Sequence, residues 1–252
     1  VDAANLIVLG HHGHAAWREQ ELILHVLLVH HGGHAVGFAF VQMVVDLTGL
    51  ARGARVGKRF GNPCFYPFAK GMDDFPEMTR IVKEAGEREN FGNDWHSDTP
   101  YLAEPPSITM LYSVETPPKG GDTLYANMQK AYDELSPGLK KMISGVTGVF
   151  SAGLKYKPGG NRAAHHARIG HMTVQKADEA ESYEAFHPIV RTHPVSGQQG
   201  LFVNDGFTTR IAELHPTESE AVLRQLFAHI AKPEFTVRWR WKLGDIAFWD
   251  NR

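Results

Sequence analysis

Cysteine is almost missing: Cys64 is the one thiol in 252 residues. An internal disulfide and a cysteine-built zinc site are both excluded, and a reducing, cytoplasmic setting is the default expectation. Charge of one sign is missing as well. Twenty-six Lys and Arg face 28 Asp and Glu, a net charge of −2. No excess charge favours nucleic acid or an anionic membrane surface. Long apolar runs are lacking too. The stretch 22–47 is rich in apolar residues, but "HHGGH" at 30–34 cuts it into pieces too short for a bilayer. There is no basic, then apolar, then small-residue leader, and the chain starts at Val1, so it reads as a trimmed or partial polypeptide.

What is present is an ordinary globular composition. Hydrophobic residues make up 42% and charged residues 21%, enough to build a core. The length suits one large domain or two small ones, and no repeat or low-complexity linker divides it. We take 1–252 as a single domain in which 1–58 is atypical and 59–252 is regular. Seven of the fifteen histidines lie at or before His34, in glycine-rich text with little period. Those tracts read as solvated loops before they read as metal sites.

From Arg59 onward the patterns are clearer. "MQKAYDELSPGLKKMISG" gives two short helices, the second capped by Ser136 with Pro137 in its first position. The polar stretch 150–185 reads as a long excursion, a candidate lid. "HPIVRTHPVSGQQGLFVND" gives two short strands around a Pro/Gly turn. "HPTESEAVLRQLFAHIAKP" is the clearest helix, with Thr217 and Glu220 as a capping box and Val222, Leu223, Leu226, Phe227 and Ile230 on one face. "EFTVRWRW" predicts a half-buried strand with Phe235, Val237, Trp239 and Trp241 inward. Gly244 then turns the chain into a last apolar run, "DIAFWDN". Strands with a few helices suit a double-sheet barrel.

"NDWHSDTPY" carries the sharpest chemical signal. On a strand, His96 and Asp98 share a face. An imidazole and a carboxylate so placed are two-thirds of the two-His, one-carboxylate set that leaves one side of Fe(II) open. Alone the pair is weak: a chain of this composition holds roughly one or two His-x-acid pairs by chance. A structural pair is the commoner reading of such a pair by itself.

The surrounding text changes the weighting. "WHSDTPYLAEPPSITMLYSVETPPKGGDTLYANMQKAYDELSP", "HPIVRTHPVSGQQGLFVNDGFTTRI" and "FAHIAKPEFTVRWRWKLGDIAFWDNR" resemble, in order and spacing, the taurine dioxygenase family of Fe(II)/2-oxoglutarate-dependent oxygenases. That family also includes herbicide-degrading aryloxyalkanoate dioxygenases. The resemblance runs from "RFG" at 59–61 to the end. It implies a mostly β protein with flanking helices, folded as a double-stranded β-helix (a cupin-like jelly roll). His96 and Asp98 correspond to the first two iron ligands. Thr123, in "GGDT", corresponds to the hydroxyl that binds the 2-oxoglutarate carboxylate, with Gly120 and Gly121 permitting a tight path before it. Trp249 corresponds to an aromatic lining the iron pocket, and a core tryptophan fits its position equally well. Tyr66 and Phe207 match substrate-pocket positions.

The chain also departs from that pattern. The third ligand, a histidine, and the arginine that pairs with 2-oxoglutarate are expected beyond Arg252, so the barrel is expected to be cut short with a sheet edge open beside "DIAFWDNR". His187 and His193 fall in strand-and-turn text with a non-ligand role. Pro63 and Gly92 stand where taurine-specific members carry their sulfonate-binding histidine and asparagine. Lys155 and Arg162 are candidate basic partners for the substrate instead. The implied reaction hydroxylates a small organic acid (a taurine-like sulfonate, a sulfate ester or an aryloxyalkanoate) next to a heteroatom, using O2 and releasing succinate and CO2. Homo-oligomer formation is left open. The alternative is a catalytically inactive jelly roll that binds a small acid or a partner chain. A cupin-like storage protein accounts for less, since it explains neither "GGDT" nor "WDNR".

Overall fold

A computed structural model describes residues 6–9, 22–30, 57–83, 92–157 and 175–252. The histidine tracts at 11–14 and 31–34, Arg162 and the middle of the 150–185 excursion lie outside the described residues. The described elements are thirteen strands, four α-helices and two short 3-10 helices, so the chain is mostly β with few helices.

The larger sheet has six strands. β1 (Leu6–Leu9) pairs with β13 (Ile246–Asp250), β13 with β5 (Ile108–Glu115), and β5 with β2 (Leu22–His30). The far side of β2 is shared. Its Leu22–Leu27 portion pairs with β4 (Met78–Lys83), and Leu28–His30 with β3 (Asn62–Cys64). β13 is thus flanked on both sides, and the open edge expected beside it is occupied by β1. Met78, Met110, Ile246 and Phe248 bury one apolar cluster on this sheet. Leu111, Trp241 and Ala247 form another.

A three-stranded sheet runs β11 (Thr208–Ile211), β7 (Thr147–Ser151), β8 (Glu184–Pro188). Two ribbons complete the β structure. β6 (Thr123–Ala126) pairs with β12 (Thr236–Trp239), and β9 (Val190–Thr192) with β10 (Gln199–Leu201) across the predicted Pro/Gly turn.

The helices follow their signals with one shift. α1 (Met128–Asp133) and α2 (Pro137–Ile143) form where expected, and Ser136 Oγ accepts from Leu139 N at 3.3 Å. α3 (Gly153–Tyr156) is a single turn in the excursion. The N-cap of α4 (Pro216–Ile230) lies two residues before the expected one, Thr217. Pro216, whose fixed φ suits a first helical position, makes His215 the N-cap, and Glu218 accepts from His215 N at 3.0 Å. Glu220 pairs with Arg224 one turn on instead. Leu223, Leu226 and Ile230 are buried against Ala131, Ile143, Ile189, Ile211 and Phe235. Each such side chain contributes about 1.5–3 kcal/mol.

Phe235 and Trp241 point inward as expected, but Val237 is exposed. Among the described residues β12 has β6 as its one partner strand.

Candidate functional site

His96 and Asp98 are not on a strand. They lie in an irregular segment between β4 and β5, and Thr99 after them has φ +47°. Their convergence comes from side-chain anchoring, not from the two-residue alternation of a strand. His96 Nε2 and Asp98 Oδ1 are nevertheless 3.6 Å apart, close to the roughly 3 Å between neighbouring donors on one ion with ~2.1 Å bonds.

Each donor is oriented by its other end. His96 Nδ1 lies 2.7 Å from the Asp94 carbonyl oxygen. That oxygen can only accept, so Nδ1 carries the proton and Nε2 keeps its lone pair. Desolvation pushes the His96 imidazole below its ordinary value, and the nearby Lys155 ammonium pushes the same way. Asp98 and Asp94 pull against them. The result favours neutral imidazole, the form that binds metal. At Asp98, Oδ2 takes the hydrogen bonds. Thr109 Oγ1 donates at 2.5 Å, Trp249 Nε1 at 3.1 Å and Asn251 Nδ2 at 3.5 Å.

The two donors therefore fit part of a non-haem metal set. Among the described residues no group of three or more His, Cys, Asp and Glu stands together to complete it. His187 Nε2 faces the Pro100 and Leu102 carbonyls, and His193 is held by Asp250. Both Nε2 atoms are thus engaged elsewhere. Cys64, whose thiol feels the Asp98 charge, is pushed up to about 11, chiefly by burial. It is a neutral thiol at ordinary pH.

Trp249 comes to the site through its indole N–H on Asp98. Thr123 is on β6 opposite Trp239, and its Oγ1 accepts from Trp241 Nε1 at 2.8 Å. Gly120 and Gly121 before it have φ of +83° and +74°, which is glycine territory. Tyr66 and Phe207 belong to one aromatic cluster with Phe68, Tyr101 and Tyr156. Tyr66 and Tyr156 share a hydrogen bond between their hydroxyls. Burial pushes the Tyr66, Tyr101 and Tyr156 phenols well above the ordinary range and keeps them neutral.

Phe207 is the hub of that cluster. Its ring lies 5.0 Å from Tyr101 and 6.3 Å from His96, and the Lys155 Nζ is 4.3 Å from its centroid. Lys155 is buried, and its Nζ is 2.7 Å from Asp94 Oδ1. Of the two basic candidates, Lys155 is thus beside His96. Gly92 backs onto the same ring: a Cβ there would stand 3.1 Å from His96 Cε1.

Sequence reasoning missed Thr109, Asn251, Asp94, Tyr101 and Tyr156. Thr109 had a faint signal, a polar residue inside the apolar run "ITMLY". Asn251 sat in the quoted "WDN" without a role.

The fold and this donor pair describe a β-protein centre able to present an imidazole and a carboxylate to one metal. Residues 31–252 match the family described as taurine catabolism dioxygenase TauD, TfdA family, and the chain belongs to that family. It is similar to an alpha-ketoglutarate-dependent sulfate ester dioxygenase of Pseudomonas putida, 33% identical over 77% of this chain and 62% of that protein. Among solved structures it resembles a taurine dioxygenase from Burkholderia xenovorans, with 31% identity and a TM-score of 0.60 over 80% of this chain and 62% of the other. It also resembles AAD-2 in complex with Mn(II) and N-oxalylglycine, with 30% identity and a TM-score of 0.52 over 63% and 58%. The chain spans about 38% to 62% of the length of the first curated relatives it matches.

Proposed function

We propose that the protein is an Fe(II)- and 2-oxoglutarate-dependent dioxygenase that hydroxylates a small organic acid next to a heteroatom. The observation that carries this is the pair His96 Nε2 and Asp98 Oδ1, 3.6 Å apart and each freed by an anchored opposite end, in a chain of the TauD, TfdA family. The finer fold assignment, a double-stranded β-helix, rests on the family and on the likeness to solved dioxygenases.

When bound, Fe(II) with 2-oxoglutarate and O2 supplies the oxidation: the cosubstrate becomes succinate and CO2, and one oxygen atom enters the substrate. The chain's own part is positional. His96 and Asp98 would hold the metal, as two of the three protein donors of such a set. Thr123 donates its hydroxyl proton to the cosubstrate carboxylate. Trp249 walls the site and holds Asp98. Tyr66 and Phe207 bound the substrate, in a ring cluster that excludes water. Relatives named for sulfate esters and taurine support an acid substrate of that kind.

The complete gene product, supplied with sulfonates, sulfate esters and aryloxyalkanoates, should form succinate only when iron and one of these acids are both present. His96→Ala or Asp98→Ala should lower turnover by more than the roughly 100-fold that losing an outer hydrogen-bond partner costs, with little change in circular dichroism. Near-normal turnover in either variant overturns the ligand assignment. Tight binding of an acid with no succinate from any would favour the inactive binding protein.

A further inference from the structure

The hydrogen bonds at Asp98 are strongly one-sided. Thr109, Trp249 and Asn251 all direct a donor at Oδ2, at 2.5, 3.1 and 3.5 Å. Oδ1 faces His96 Nε2 instead. We propose that these three residues are a positioning cradle that makes Asp98 a one-oxygen metal ligand, by occupying Oδ2 and turning Oδ1 to the metal. This rests on the metal-binding reading above and adds to it which oxygen binds and which residues decide.

The proton order is fixed by chemistry. The Thr109 hydroxyl has a single proton, and an ionised carboxylate can only accept. The proton therefore goes to Asp98. Thr109 Oγ1 in turn accepts from Asn251 Nδ2 at 2.8 Å. The amide, hydroxyl and carboxylate form a directed chain in which each bond polarises the next. Asn251 also grips the backbone of the ligand, since Asp98 N donates to Asn251 Oδ1 at 3.2 Å.

The sheet sets this geometry. Trp249 and Thr109 are direct cross-strand partners of β13 and β5. Asn251 N continues the ladder to the Ser107 carbonyl at 2.9 Å. Thr109 is fully buried and Asn251 nearly so, so water does not replace a lost donor there. An oxygen loaded by three donors has little lone-pair capacity left for a metal. A loose segment without strand pairing thus acquires a defined ligand atom from a rigid sheet beneath it.

The test is anaerobic titration of the complete protein with Co(II), read by absorption, alongside the melting temperature of the metal-free form. Thr109→Val keeps shape and removes the donor; it should weaken Co(II) binding roughly 10- to 100-fold. Thr109→Ser keeps the hydroxyl and should restore most of the affinity. Trp249→Phe, which keeps a ring in the strand and removes the indole N–H, should also weaken binding, and it replaces Thr109→Val if that variant does not fold. Unchanged Co(II) affinity in a folded Thr109→Val or Trp249→Phe protein overturns the cradle. If parental protein binds Co(II) and His96→Ala abolishes it, that result removes the cradle alone. If the parent binds no Co(II), the metal reading itself falls.

Discussion

Gly206 sits where a side chain would be tightly crowded. A Cβ built on it would lie 3.0 Å from His96 Cβ, 3.2 Å from the Trp95 carbonyl oxygen and 3.3 Å from Lys155 Nζ. The Trp95 oxygen already accepts from Gly206 N at 3.0 Å, so the two backbones cannot part without losing that bond. Gly206→Ala should therefore displace the His96 side and destabilise the fold by about 1–3 kcal/mol, the range for overpacking a tight site; urea unfolding measures it. A variant as stable as the parent would show that the segment yields freely. At this scale the sequence was informative where a residue type is unusual and silent where it is common. His96 and Asp98 stood out by identity and spacing. Thr109 did not, because a threonine in a strand is ordinary, and its partner lies 11 residues away in an irregular segment. Lys155 could only be one of two guesses until the chain path brought its Nζ to Asp94.

The end of β13 is tied to the β9–β10 hairpin through Asp250. Val195 N and Ser196 N donate to His193 Nδ1 at 3.3 and 3.1 Å, so His193 Nε2 carries the proton and donates to Asp250 Oδ2 at 3.1 Å. Arg252 holds the same carboxylate through Nε and Nη2. Burial acts to raise the Asp250 carboxyl, but the Arg252 hydrogen bonds and charge, with His193, outweigh it and hold it below the ordinary value. A carboxyl lowered in the folded state adds stability above its unfolded pKa of about 3.9, and that stability fades as the pH falls below it. Asp250→Asn should thus be less stable than the parent at pH 7 and should lose less on going to pH 3, as denaturant midpoints at the two pH values would show. Equal pH dependence would mean that this clamp contributes nothing. Elements like α4 were legible because their apolar spacing marks them. The exact cap was not, since two overlapping Thr/Glu and His/Glu spacings compete and proline decides between them. The inward placement of Val237 failed because alternation reports two faces, not which of them gains a cover.

For the molecule as a whole, the β-rich class and the order of motifs could be read in advance, whereas the partners of β2 could not. Pairing over such sequence distances depends on how loops route the chain, which local patterns do not encode. Among the described residues no helix is long and apolar enough to cross a membrane. Ligand binding gives a global test. With Mn(II) and N-oxalylglycine together at about 100 times their dissociation constants, the complete protein should gain about 2.7 kcal/mol from each ligand that binds the folded state alone. Scanning calorimetry would register the rise in melting temperature. No rise with either ligand would exclude a preformed centre. The cross-strand match of Trp249 with Thr109 has a further consequence. Side chains alternate faces along a strand, so a slip of one residue between these two strands would turn Trp249 from Asp98. A misaligned sheet would then lose the Asp98 anchor as well as stability, and metal affinity in a refolded sample would serve as a direct gauge of correct strand alignment.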